Sequence, residues 1–133
     1  MAQKDGETSM VFPHLLVQAA KSHLYAGKIE EAQQYLDQGI QYAQSRHYCQ
    51  LPAIGQRLQG RIWEALGRFE EAQPCFERSL AELEALEDQV EYARTQEAYG
   101  LYFQERKQAG DEEIGRVHLE RAREIFQRLG VKG

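Results

Sequence analysis

Lys21, Arg57, Arg61 and Arg94 are the side chains whose chemistry stands out in this 133-residue chain. One ammonium and three guanidinium groups can hold a partner's carboxylates through charge-assisted hydrogen bonds, and each guanidinium fork can do so with two parallel bonds. Their competitors are the chain's own acids Glu64, Glu97 and Glu105; exposed ion pairs of that kind contribute little, ~0–1 kcal/mol. A second candidate is His47 with Cys49, two residues apart, and Cys75 further along. A structural metal needs a second close pair of ligands and none follows, so these read as loop and core residues with no metal. No phosphate-cradling Gly-Lys loop, dinucleotide glycine fingerprint, nucleophile elbow or zinc-protease histidine pair is present. The glutamates recur at helical spacing as solvent-facing charges, not as a carboxylate dyad, so neither an enzyme nor a cofactor is expected.

The elements that must position these groups announce themselves as a repeat. In the stretch from Leu66 to Leu80, Gly67 ends one apolar-periodic run and Phe69 opens another. Small or apolar residues then fall at Ala72, Phe76, Ser79, Leu80 and Leu83, the spacing of one buried helix face. Gly27, Ala32, Leu36, Gly39 and Ile40 repeat the pattern 40 residues upstream, and a weaker copy starts at Gly110 and runs through Gly115, Leu119, Ala122 and Phe126. Ala20, Gly60 and Gly100 keep the same 40-residue step, as do His23, Trp63 and Phe103, three residues on. A small residue lets two helix axes approach, and the ring beside it fills the adjoining space. These rings read as core.

Helices are therefore expected over about 13–26, 29–45, 52–66, 69–86, 89–108 and 112–129, in three antiparallel hairpins with no β-like alternation. Pro74 should kink the fourth. Gly100 to Gly110 is 10 residues where Gly60 to Gly67 is 7, which predicts a fifth helix about one turn longer. Residues 1–12 read as a polar leader, and residues 13–130 as one domain of three repeats, 13–50, 51–88 and 89–130. The net charge of −5, with basic and acidic residues interspersed, argues against nucleic acid. No apolar run approaches the ~20 residues of a membrane span, and two cysteines make no disulfide framework, so a soluble, cytoplasmic protein is expected.

Gly60, Trp63, Gly67, Glu70, Glu71, Ala72, Phe76 and Ser79 together resemble the tetratricopeptide repeat, and the likeness runs from Pro13 to Gly130. The step of 40 exceeds that family's usual period of about 34 and is similar to extended repeats, including those of bacterial regulators, which the C-terminal helix also resembles. His23 departs from the usual large aromatic, and Gly115 from the usual alanine. The resemblance implies an all-α solenoid whose first helices line a concave groove that takes a peptide or helix. It places Gln18, Lys21 and Tyr25 of the first helix in that groove, with Arg57, Arg61 and Glu64 of the third and Arg94, Glu97 and Gln104 of the fifth. Lys21 and Arg94 occupy two positions of a carboxylate clamp known in chaperone-binding relatives, while Val17, Leu58 and Ala98 occupy others, so that activity is not carried over.

The function expected is a protein-binding scaffold with a protein or peptide partner. Two alternatives stand beside it: a sensing segment of a larger signalling ATPase or transcription activator, and a self-assembly module. The last rests on Ile114, Val117, Leu119, Ile125 and Phe126, more apolar surface than one neighbouring helix covers, and predicts a homodimer or end-to-end packing through the C-terminal helix.

Overall fold

The computed structural model describes residues 12–45 and 49–131, which form six α-helices and no strand. They are α1 (Phe12–Tyr25), α2 (Ile29–Ser45), α3 (Gln50–Ala65), α4 (Phe69–Ala85), α5 (Gln89–Arg106) and α6 (Asp111–Leu129). Phe12, left in the leader by its sequence, opens α1, while residues 1–11 and His47 lie outside the described residues. None of these helices is long and apolar enough to cross a membrane.

Each helix packs on the next, giving the hairpins α1–α2, α3–α4 and α5–α6, and the first helices also touch in order, α1 on α3 and α3 on α5. No hairpin closes its core alone. Val17 and Ala20 of α1 and Leu36 and Ala43 of α2 share a cluster with Leu51, Leu58 and Ile62 of α3. Phe76 of α4 is fully buried against Tyr99 and Tyr102 of α5, with ring centroids 5.4 Å away in each case. Burying such a ring contributes about 1.5–3 kcal/mol, so this aromatic group is one main part of the contact between hairpins two and three. Tyr102 is also fully buried, and its hydroxyl donates to the Phe69 carbonyl at 2.7 Å.

The turns inside the first two hairpins share one closure. Gly27 (φ +80°) and Gly67 (φ +77°) take the left-handed conformation that a side chain disfavours. The next amide then reaches back to the helix: Lys28 N–H donates to His23 O and Arg68 N–H to Trp63 O, each at 2.8 Å. The same closure recurs at Glu87 and Gly130. α4 continues through Pro74, which is exposed in the second turn of the helix.

The third hairpin corrects the expected length of the fifth helix: α5 has 18 residues against 16 in α3, longer by less than a turn. α5 ends at Arg106, and Lys107, 40 residues after Gly67, takes the left-handed position at φ +60°. Of the three additional residues one extends α5, one extends the start of α6 and one enlarges the turn, which spans 107–110 against 66–68, and Gly110 serves as the N-cap of α6. Buried Asp111 closes this turn. It accepts from Arg106 Nε and Nη2, both at 2.8 Å, and from the Gln108 amide at 2.9 Å, and the Arg106 guanidinium holds its carboxyl below the usual carboxylate range. Arg106 lies over the rings of Tyr102 and Phe103 as well, at 5.3 and 5.2 Å.

Of the three rings expected in the core, Phe103 is buried, while Trp63 is half-buried beneath the Arg68 guanidinium, 5.0 Å from its centroid. His23 is half-buried, bonded through Nδ1 to the Ala19 carbonyl at 2.7 Å and packed on Tyr35.

Candidate functional site

The first helices of the three hairpins lie side by side, and one groove of ≈ 760 Å³ runs across them. Helical spacing puts Gln18, Lys21 and Tyr25 on one face of α1, Arg57 and Arg61 on one face of α3, and Arg94 and Glu97 on one face of α5; all seven line the groove. Its floor is apolar, built from Val17, Leu51, Leu58 and Ala98, each buried, with half-buried Ile54 between them. Its rim is charged, four cations against the carboxylates of Glu91 and Glu97.

The cations are not equivalent. Arg57 bridges α3 to α5: Nη2 donates to Glu91 Oε1 at 3.0 Å, and Nη1 to Thr95 Oγ1 at 3.0 Å and to the Glu91 carbonyl at 3.3 Å. Its side chain is 16% exposed, and burial pulls the guanidinium below its ordinary value against the opposing pull of Glu91. Thr95 continues the network to Ser79 of α4 at 3.1 Å. Arg57 is thus a strut between hairpins two and three, not the open groove cation its sequence position suggested. Arg94 pairs at 2.6 Å with the other oxygen of the same carboxylate, yet stays 47% exposed and able to turn to a ligand. Lys21 is exposed, with its ammonium 5.9 Å from the Tyr25 centroid, and Tyr25 is itself 69% exposed. Arg61 sits 3.6 Å from Glu64.

Two expected groove residues stand elsewhere. Glu64 lines an adjoining hollow of ≈ 310 Å³ with Leu24, Ala65 and Glu105, which joins the main groove at Tyr25 and Arg61. Its Oε1 is buried without a hydrogen bond, and burial, helped by nearby Glu105 and opposed by Arg61, raises its carboxyl above the usual range. Gln104 lines neither hollow. It lies towards α6, where its Cγ would be 3.5 Å from a Cβ built on Gly115; the face of α5 that borders the hollows passes through Glu105 instead.

Glu91 is the residue that sequence reasoning missed. Three residues before Arg94, it had the spacing of an intrahelical ion pair, but its contact with Arg57, 34 residues away, depends on how α3 meets α5. Gln50 was missed as well, because α3 begins two residues before Pro52. Cys75 Sγ points back to the Glu71 carbonyl at 3.6 Å, Cys49 is exposed, and no cluster of metal-binding side chains occurs among the described residues.

Compared with known proteins, the chain matches no family model, no curated protein and no solved structure.

Proposed function

We propose that the chain is a protein-interaction module, an array of three extended hairpins of the tetratricopeptide type, and that its groove takes a peptide or helix from a partner. The observation that carries this reading is one groove crossing all three first helices, with a buried apolar floor under a mainly cationic rim. An extended segment or helix can bury alternate side chains on such a floor while its carboxylates meet Lys21, Arg61 and Arg94 at the rim. Arg57 and Glu91 have a different part: they hold α3 and α5 at the spacing that keeps the groove open. A preformed groove spares the cost of ordering the receptor when the ligand binds.

The test is selection of displayed random peptides on the native chain and on Lys21→Glu/Arg61→Glu. Peptides enriched in acidic and apolar residues that bind the native chain and fail on the double variant support the reading. Enrichment that survives both substitutions refutes the groove assignment.

A further inference from the structure

The two junctions between hairpins are built from the same places in the repeat. At the first, Gly55 of α3 sits so close to α2 that a Cβ there would fall 2.1 Å from Ile40 Cδ1. One turn on, Gln59 exchanges two 2.8 Å hydrogen bonds with Gln33, and Ile62 is buried. At the second, 40 residues later, Thr95 meets Ser79 at 3.1 Å, the Tyr99 hydroxyl accepts from Gln73 at 3.1 Å and donates to Glu77 at 2.8 Å, and Tyr102 is buried. Residues 55, 59 and 62, then 95, 99 and 102, are thus the incoming face of each hairpin.

Forty residues before the first set stand Leu15, Ala19 and Ser22 on α1. Leu15 is 58% exposed, Ser22 is exposed and Ala19 half-exposed. This stripe carries no charge, and its small residues at 19 and 22 would admit a close helix approach. The opposite end of the chain bears the matching surface. Gln73 and Leu80 of α4 correspond, after the three-residue insertion, to Arg116 and Arg123 of α6, and Phe76 corresponds to Leu119. Leu119 packs on Gly100 as Phe76 packs on Gly60. Leu119 also lines a groove of ≈ 630 Å³ with Ala122, Phe126 and the charged Glu97, Arg116, Glu120 and Arg123. Arg116 is paired with Glu113 and Glu120 on its own helix, so an uncharged incoming face does not strand it.

We propose that α1 of a second copy of this chain occupies that groove, so that copies stack head to tail and continue the junction already used twice within each chain. Leu15 of the incoming copy then takes the register place of Gly55 and Thr95, beside the stem of Arg123 in the place of Ile40 and Leu80, at a wider spacing than the glycine allows at the first junction. Such a contact joins two different surfaces and does not close on two copies, so association is open-ended and driven by concentration. It also revises the expectation for α6. Ile125 and Phe126 are buried within the chain, while Ile114 and Val117, 42% and 40% exposed, lie outside this groove.

Sedimentation equilibrium from micromolar to millimolar concentration tests the proposal on the native chain, Leu15→Lys, Ser22→Lys and Leu15→Lys/Arg123→Glu, with circular dichroism confirming the fold of each. The native weight-average mass should climb past that of two chains, and both single variants should hold at one chain, 15.3 kDa. The double variant should associate again in low salt, because the ammonium introduced at position 15, which Arg123 repels, then faces a carboxylate. A native chain that stays monomeric, a mass that levels at two copies, association indifferent to both single variants, or no recovery in the double variant each overturns the proposal.

Discussion

Replacing Gly100 by alanine should loosen the third hairpin, even though alanine favours a helix. A Cβ at Gly100 would stand 2.7 Å from Leu119 Cγ and 2.9 Å from the Gly115 carbonyl oxygen, and a Cβ at Gly115 would in turn stand 2.9 Å from the Gly100 carbonyl oxygen. Leu119 can rotate; the carbonyl belongs to the backbone of α6 and cannot. Restoring ordinary contact requires α6 to retreat by about 0.5 Å, and overpacking of this kind costs ~1–3 kcal/mol. Alanine returns about 1 kcal/mol in helix propensity, leaving a net loss of about 1 kcal/mol. That is about 4 °C in Tm for a chain of this size. Gly39→Ala is the control, because its Cβ would meet nothing nearer than Leu16 Cβ and Val17 Cγ2 at 3.2 Å and the Pro13 carbonyl oxygen at 3.4 Å. There the propensity gain should survive, and the variant should melt at or above the parent. Thermal and urea unfolding followed by circular dichroism measure both. A Gly100→Ala chain as stable as Gly39→Ala would refute the close crossing of α5 and α6.

Three further outcomes are expected. Arg57→Ala leaves the Glu91 carboxylate and Thr95 hydroxyl without their partner across the α3–α5 contact. A fully buried pair broken this way costs ~3–5 kcal/mol, and the residual exposure of both partners reduces that to about 2 kcal/mol, read as a lower urea midpoint. Lys107→Gly removes a side chain from the left-handed region at φ +60° and should stabilise the chain by about 0.5–1 kcal/mol by the same assay. His118 is half-buried against Phe103, and burial, with Arg121 nearby, lowers its pKa, so the folded state disfavours the imidazolium. The unfolded chain then binds the proton more readily, and stability present above about pH 6.5 is lost as pH falls towards the folded pKa. Unfolding midpoints measured from pH 7.5 downward should show this loss in the native chain and a smaller one in His118→Gln.

Much of the fold was legible because repetition makes spacing visible. Gly27 and Gly67 marked the ends of two first helices, and Ala20, Gly60 and Gly100 lie where those helices meet their partners. The third turn was misread for a physical reason: glycine is the usual left-handed residue, so Gly110 drew the alignment away from Lys107. Lys107 carries no glycine signal; the turn it opens is closed by side-chain bonds between Arg106 and Asp111, five residues apart, which helical spacing does not announce. The groove face followed from helical register as far as Leu101. Which of its cations remain available did not, since Arg57 is claimed by a carboxylate from another helix, and such pairing depends on how helices meet.

Photocrosslinking from inside the groove tests the central claim most directly. A photoreactive amino acid is placed at Gln18, which lines the groove, and separately at Glu31 of α2, which is exposed outside it, in the cells that make this protein. A partner captured from position 18, absent from position 31 and lost with Lys21→Glu/Arg61→Glu is the predicted result. Capture from position 31 alone, or capture from position 18 that the charge reversals leave unchanged, contradicts it.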